Sequence, residues 1–478
     1  WRVPGLAIAV VKDGRVVFAK GYGVRELGKP APVDTNTLFA IGSTTKAMTA
    51  AAMGMLVDEK KVRWDEPVTT YLPAFAVADP YLTREITVRD LLTHRAGLGN
   101  ADYLWYESDL TTPDIVRRLR YVRPAYSMRS SFVYQNVMYA VAGQVIEAAS
   151  GGTPWASFLR ARLLQPLGMT GTSTTLGAIP AGANVASPHF VVHDSVVVIR
   201  NASVDAVAPA GAVWSSVADM AKWMRFVLDS GRVGDRRLLA PGTWAELLKP
   251  QTMVTPKGFY PTASLTHPHW TTYGLGWFQE DYAGRALDFH TGSIDGMVAI
   301  VGLVPDERFG VYVLANLDHA ELRHALMYKA IDLWLGTGSR DWSAEMKTMY
   351  AALHARADSA ERAAAGKRIK GTRPSLALDR YAGSYVDSLY GSVRVDYAGG
   401  KLTLRTSSKS VAALEHWQYD TFLARWSSRW RGTTPVTFTI GDDGRPSRLE
   451  MDGAAFTREA EMRPAATAGG GAGGGGSR

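Results

Sequence analysis

Ser43 and Lys46 stand three residues apart in the stretch Ile41-Gly42-Ser43-Thr44-Thr45-Lys46-Ala47-Met48. The apolar positions Met48, Ala51, Ala52, Met55 and Leu56 recur at helical spacing, which predicts a helix with Ser43 and Lys46 one turn apart on a shared face at its start. A serine hydroxyl is a weak nucleophile until a neighbouring base takes its proton. Lysine can be that base only if burial or another cation lowers its pKa enough to leave it partly neutral, and the Ala- and Met-rich run after Lys46 reads as a buried helix. The same pair also fits a plainer account, an N-terminal cap followed by a solvated lysine. Two further groups bear on the choice: Tyr134-Gln135-Asn136, the only Y-x-N in the chain, and His290-Thr291-Gly292-Ser293.

In that order the three groups resemble the active-site motifs of the serine β-lactamase and penicillin-binding-protein superfamily. The likeness is to its class C β-lactamase-like branch, with relatives among D-alanyl-D-alanine carboxypeptidases, D-aminopeptidases and esterases. It runs from about residue 3 to residue 335, and Thr93-His94-Arg95-Ala96-Gly97-Leu98 and Ala208-Pro209-Ala210-Gly211 also match the branch. His94 reads more simply as a structural histidine bonded to backbone.

The resemblance implies an α+β fold: a β-lactamase/transpeptidase-like domain, with an antiparallel sheet flanked by helices and an all-α part, followed by a small all-β, barrel-like domain. It implies roles as well. Ser43 is the nucleophile that forms an acyl-enzyme, Lys46 helps take its proton, and Tyr134 shuttles the proton to the leaving group and later activates water. Asn136 hydrogen-bonds Lys46 and the substrate amide. The backbone N–H groups of Ser43 and Ser293 form an oxyanion hole, where donors contribute about 3–4 kcal/mol each. Thr291 belongs to the same substrate-binding strand, and Gly292 lets that strand approach closely. For its role Tyr134 needs a pKa well below about 10, which two nearby cations would supply.

His290 departs from the pattern, because β-lactamases carry lysine there. Histidine is only partly charged near neutral pH, so strong β-lactamase activity is not expected, and activity on anionic substrates should weaken as pH rises above the imidazole pKa. The implied activity is that of a serine hydrolase without metal or cofactor, acting on small esters, amides or short peptides, D-residue-containing ones included. A D-alanyl-D-alanine carboxypeptidase or weak β-lactamase is an alternative. So is a catalytically feeble scaffold or binding protein, since LACTB-like relatives assemble into polymers; a homo-oligomer is therefore in view. The complete set of Ser43, Lys46, Tyr134 and Asn136 argues against the scaffold.

A chain of 478 residues exceeds what one core usually holds, so two domains plus tails are expected. The net charge of +8 is spread rather than clustered, which reads as solubility and not as a nucleic-acid site. The absence of cysteine excludes disulfides, thiol catalysis and cysteine-ligated metals. His267-Pro268-His269 lacks a third ligand at a recognisable spacing, and nothing resembles a P-loop or dinucleotide fingerprint. The longest apolar runs, 3–11 and 297–305, are strand-length, so no transmembrane segment is expected. The chain opens at Trp1 without a methionine; with relatives commonly exported, the expectation is a removed signal peptide and a periplasmic or secreted location.

Pattern and turn signals predict strands at 6–11 and 16–20, helices at 137–147, 155–164 and 217–228, strands at 287–290, 297–304 and 310–316, and a closing helix over 320–335. Composition shifts place boundaries near 340, 373 and 463, with a helical and basic linker at 341–373 and a disordered Gly-rich tail at 464–478; the resemblance implies that 1–340 is the serine hydrolase domain and that 374–463 is the lipocalin-like β domain often appended to it. Within the β domain, strands are expected at 383–386, 392–397, 401–405, 421–424, 436–440 and 448–451.

Overall fold

Strand β1 (Gly5–Lys12) and strand β2 (Arg15–Gly23) form a hairpin across Asp13-Gly14, both at positive φ (49° and 72°), the conformation a two-residue hairpin turn requires. They open a computed structural model in which residues 1–460 are described. Its described residues form two compact units, one of residues 1–368 with 428–431 and a second of residues 369–427 with 432–460.

In the first unit the helices that matter to the site are α1 (Thr45–Asp58), α2 (Asn136–Ala149), α3 (Ala208–Gly211) and α4 (Val217–Leu228). The chain then returns through β3 (Thr252–Met253), β4 (Thr271–Tyr273), β5 (Phe278–Tyr282), β6 (Arg285–Ile294), β7 (Met297–Val304) and β8 (Phe309–Ala315), and ends in α5 (Leu322–Leu335) and α6 (Trp342–Gly366). Eight strands make one antiparallel sheet in the order β2-β1-β8-β7-β6-β5-β4-β3. Every residue of β7 and β8 is buried, because both faces of the sheet are covered. A Cβ at Gly302 would meet Met327 of α5, whereas one at Gly310 would meet Met224 of α4. Gly302 pairs with Val311 and Gly310 with Leu303, so the two glycines face opposite sides and the helices sandwich the sheet between them.

Helix α1 is buried on all sides from Thr45 through Leu56, as a helix central to an all-α layer must be, with Lys46 the one charged side chain in that run. This confirms the α+β class with its all-α part. In the second unit, eight antiparallel strands follow chain order: Gly383–Asp387, Gly391–Ala398, Lys401–Arg405, Val411–Gln418, Thr421–Trp426, Thr433–Ile440, Pro446–Met451 and Ala454–Arg458. The last pairs with the first at Tyr385–Arg458, closing a barrel that leaves no free edge. Its interior is packed with alternate residues, among them Tyr385, Val395, Leu404, Phe422, Phe438 and Phe456. Two of the eight, Val411–Gln418 and Ala454–Arg458, are strands the sequence pattern did not reveal. The expected Gly-rich tail lies outside the described residues. Among the described residues, no helix is long and apolar enough to cross a membrane.

Candidate active site

Ser43 sits in a one-turn 3₁₀ segment, Gly42–Thr44, that feeds directly into α1. Its hydroxyl does not cap the helix: the N-cap is Thr44, without a side-chain cap bond, and the Ser43 Oγ instead accepts a hydrogen bond from Lys46 Nζ at 3.0 Å. Ser43 is half-buried while Lys46 is wholly enclosed. The amine also donates to Asn136 Oδ1 at 2.7 Å and to the Ala210 carbonyl at 2.9 Å, so all three N–H directions of an ammonium have acceptors. Burial nevertheless dominates and lowers the Lys46 pKa to about 7, with the Asp102 carboxylate pulling the other way. A solvated lysine is excluded. At neutral pH a large share of Lys46 is free amine within reach of a serine proton.

Asn136 is the first residue of α2, where the carbonyl end of its amide faces Lys46. Tyr134 comes two residues earlier, in a loop clamped to His94. The Val133 N–H donates to the His94 carbonyl at 2.9 Å and the Gln135 N–H to His94 Nδ1 at 3.1 Å. His94 itself adopts φ 56° and is buried, its ring 4.2 Å from that of Tyr134. It holds backbone, as the simpler reading of its sequence suggested. Asp90, at the capping box of the short helix Val88–Leu92, anchors the same region through Arg95 at 2.9 Å and Arg129 at 2.7 Å.

The electrostatics of Tyr134 differ from the sequence expectation. Desolvation holds its hydroxyl well above the ordinary phenol range, and a bond with the Ser43 side chain offsets only part of that. The Lys46 amine lies over the face of the ring, 4.7 Å from its centroid. With desolvation the dominant effect, Tyr134 rests protonated.

The third motif lies on β6, which extends through Thr291, Gly292 and Ser293 rather than ending at His290. A Cβ at Gly292 would fall 1.9 Å from the Ile41 carbonyl oxygen and 3.1 Å from Ser43 N, while one at Gly42 (φ 52°) would fall 2.6 Å from Ser293 N. Only glycine at both positions lets the two backbones meet, which brings the Ser43 and Ser293 N–H groups to one small space. Ser293 is exposed there. Thr291 Oγ1 is engaged with the Tyr260 hydroxyl at 2.7 Å.

His290 is buried, with Nδ1 2.6 Å from the Thr291 carbonyl and Nε2 3.0 Å from the Tyr273 hydroxyl. A carbonyl only accepts, so Nδ1 carries the proton and Nε2 accepts from Tyr273. Burial, reinforced by Lys46, lowers the imidazole pKa to about 3. The partly charged histidine expected from sequence is therefore a neutral one across the physiological range, which removes the basis for the pH dependence expected of it.

The structure thus brings Ser43, Lys46, Tyr134, Asn136 and the 290–293 strand together. Three residues that the motifs did not single out join them. Asp102 accepts from the Asn136 amide at 3.2 and 3.1 Å. The Ala210 carbonyl receives Lys46. Arg323, on α5, is buried and donates to the Gly292 carbonyl at 2.7 Å and to Ser293 Oγ at 2.9 Å, bracing β6 from behind. A resemblance of the 208–211 segment was visible in the sequence, but neither Asp102 nor Arg323 lies in a motif. In the loop of residues 100–109, Tyr103 is exposed, Trp105 Nε1 donates to Asp102 Oδ1 at 2.7 Å, and the Tyr106 hydroxyl donates to Asp295 Oδ2 at 2.9 Å. At the H-x-H, His269 pairs with Asp281.

Residues 1–333 match the family described as Beta-lactamase, and residues 367–465 match a Domain of unknown function (DUF3471). The chain is 30% identical over 490 aligned positions to unguisins hydrolase ungD of Aspergillus violaceofuscus, covering 94% of this chain and 85% of that protein. It is 25% identical over 339 positions to Protein flp of Staphylococcus aureus, covering 66% and 60% respectively. Among solved structures, the octameric penicillin-binding protein homologue from Pyrococcus abyssi superposes with a TM-score of 0.63 at 22% identity over 94% of both chains. SurE superposes with a TM-score of 0.56 at 20% identity over 96% of this chain and 95% of that one.

Proposed function

The chain belongs to the beta-lactamase family, and from that premise we propose that it is a serine hydrolase working through an acyl-enzyme at Ser43 on uncharged small esters, amides or short peptides, D-residue-containing ones among them. The observation that carries the reading is the enclosed Lys46 amine 3.0 Å from Ser43 Oγ, with its pKa lowered to about 7. A base whose pKa lies near the working pH combines a useful neutral fraction with useful proton affinity.

In the proposed sequence Lys46 takes the Ser43 proton as Oγ attacks the carbonyl carbon, and the resulting oxyanion sits against the Ser43 and Ser293 N–H groups. Tyr134, protonated at rest, gives its hydroxyl proton to the leaving group as the tetrahedral intermediate collapses, and is reprotonated from Lys46. Deacylation repeats the steps with water as nucleophile, the Lys46 amine again accepting the proton.

The substrate class follows from position 290. A lysine there would offer a fixed cation to a substrate carboxylate, whereas His290 is neutral with both ring nitrogens engaged inside the protein. A carboxylate beside the scissile bond gains no ion pair from this strand and loses its hydration on entering the cleft. That disfavours the D-alanyl-D-alanine carboxypeptidase and β-lactamase alternatives. A hydrolase-named relative aligned over 94% of the chain favours an enzyme over a scaffold. The octameric homologue from Pyrococcus abyssi makes a homo-oligomer part of the proposal.

The test is turnover of two matched chromogenic substrates, one neutral and one bearing a carboxylate next to the scissile bond, by wild type and Ser43→Ala. The neutral substrate should be turned over with the higher kcat/KM, and Ser43→Ala should turn over neither. Preference for the carboxylate would overturn the substrate class, and undiminished turnover by Ser43→Ala would overturn the nucleophile.

A further inference from the structure

We propose that Asp102 is a positioning residue of this site: by accepting both hydrogen bonds from the Asn136 side-chain N–H₂, its carboxylate turns the Asn136 oxygen toward Lys46 and so holds the amine over Ser43. The proposal rests on the serine-hydrolase reading and extends it to a residue outside the three motifs.

An asparagine amide has a donor end and an acceptor end, and only one orientation serves an amine. With Nδ2 facing Lys46, two sets of donors would oppose each other. Asp102 removes the ambiguity, because an ionised carboxylate only accepts. Its oxygens lie 3.2 and 3.1 Å from Asn136 Nδ2, which leaves Oδ1 at 2.7 Å from Lys46 Nζ. The order Asp102, Asn136, Lys46, Ser43 is thus a continuous run of donors and acceptors ending at the nucleophile.

The carboxylate is itself fixed. Trp105 Nε1 donates to Oδ1 at 2.7 Å and Asn100 Nδ2 to Oδ2 at 3.1 Å, while the Asp102 N–H returns a bond to Asn100 Oδ1 at 2.9 Å. Asn100 Nδ2 reaches the Tyr134 carbonyl at 3.1 Å as well, tying this turn to the second motif. Ala101 and Leu104, on either side, are buried. Further along the loop, Tyr106 donates to Asp295, two residues past Ser293. The loop is therefore held at the Asn136 side of the site and at the Ser293 side.

Charge gives the arrangement its chemical sense. When Lys46 takes the serine proton it becomes a buried cation, and the groups that face it are the Ser43 hydroxyl, the Tyr134 and Tyr139 rings, the Asn136 amide, the Ala210 carbonyl, and the imidazoles of His94 and His290. Burial keeps both imidazoles neutral, so neither opposes the new charge. Asp102 is the carboxylate that favours it, one amide away. Without it the Lys46 cation would be harder to form, and serine activation would slow even as the fraction of neutral amine rose.

The experiment is the pH dependence of Ser43 labelling by a fluorophosphonate in the full chain, for wild type, Asp102→Asn and Asp102→Glu, with adducts mapped by mass spectrometry. Wild-type labelling should rise through an acidic limb near the Lys46 pKa of about 7. Asp102→Asn should move that limb down by about 0.5–1 pH unit, less than the 1–3 units of a directly touching pair, and lower the plateau rate about tenfold. Asp102→Glu should keep the limb in place and recover most of the rate. An unmoved limb in Asp102→Asn, or equal damage in Asp102→Glu, would reduce Asp102 to a structural residue and overturn the proposal. No wild-type adduct at Ser43 would instead bring down the serine-hydrolase reading, and the proposal with it.

Discussion

Replacing Lys46 by methionine removes the one charged side chain that is fully enclosed within α1, and the result can be worked out from its titration. A lysine that titrates at 10.5 in the unfolded chain titrates at about 7 in place. Below about pH 7 the proton is bound in both states and the cost to the fold is complete. Above 10.5 it is bound in neither and the cost is gone. Between the two the unfolded chain binds more protons, so stability rises with pH. At 1.36 kcal/mol per pKa unit the cost is about 4 kcal/mol at pH 7 and about 1.4 kcal/mol at pH 9.5. Methionine carries no such cost, though it leaves Asn136 Oδ1 and the Ala210 carbonyl without their donor, at about 1–3 kcal/mol each. That loss is the same at both pH values. The stability of wild type relative to Lys46→Met should therefore rise by about 3 kcal/mol between pH 7 and 9.5. Equilibrium urea unfolding of both proteins at the two pH values measures it, and the other titrating groups cancel in the difference. A relative stability constant to within about 0.5 kcal/mol would mean that Lys46 stays charged in the folded protein, and the account of it as a base would fail.

Two other substitutions test the site independently. Gly292→Ala places a methyl 1.9 Å from the Ile41 carbonyl oxygen, where every nearby atom is backbone and none can rotate away; β6 must shift, separating the Ser293 and Ser43 N–H groups, and ester kcat/KM should fall about 100-fold or more. A change under threefold would contradict the close approach on which the oxyanion hole depends. His290→Gln replaces one neutral group by another, so the acidic limb near pH 7 should survive in the kcat/KM profile even if the rate falls through loss of the Tyr273 contact. Disappearance of that limb would assign it to the histidine.

The parts of the fold that were legible are those in which apolar periodicity is unbroken. Val217–Leu228 has the ends its amphipathic pattern predicts, and the Asp13-Gly14 turn marks its hairpin. Strand Phe278–Tyr282 was not visible because Gln279 and Glu280 occupy buried positions, which they hold by pairing with Asp288 and with Tyr328. In the barrel, Val411-Ala412-Ala413-Leu414-Glu415 is composed like a helix and becomes a strand only through its neighbours. The predicted helix over 155–164 is α-helical only to Leu159 and continues as a π turn over Arg160–Leu164.

At the site, spacing alone placed Ser43 beside Lys46, and the family resemblance pointed to Tyr134, Asn136 and the 290–293 strand. Charge states were not legible. Whether Tyr134 or His290 ionises depends on what surrounds it in space, and in both cases burial sets the protonation state while the neighbouring charges push the same way. Asp102 was invisible for a different reason: it acts through Asn136, thirty-four residues away, and nothing in a loop aspartate's neighbours in sequence records that.

The central claim is that Ser43 is a nucleophile activated by Lys46, and intact-mass spectrometry with peptide mapping after exposure to a fluorophosphonate tests it most directly. The account predicts a single adduct on Ser43 in the wild type, formed far more slowly in Lys46→Met. An adduct elsewhere with Ser43 unmodified, or equal labelling rates in the two proteins, would contradict it.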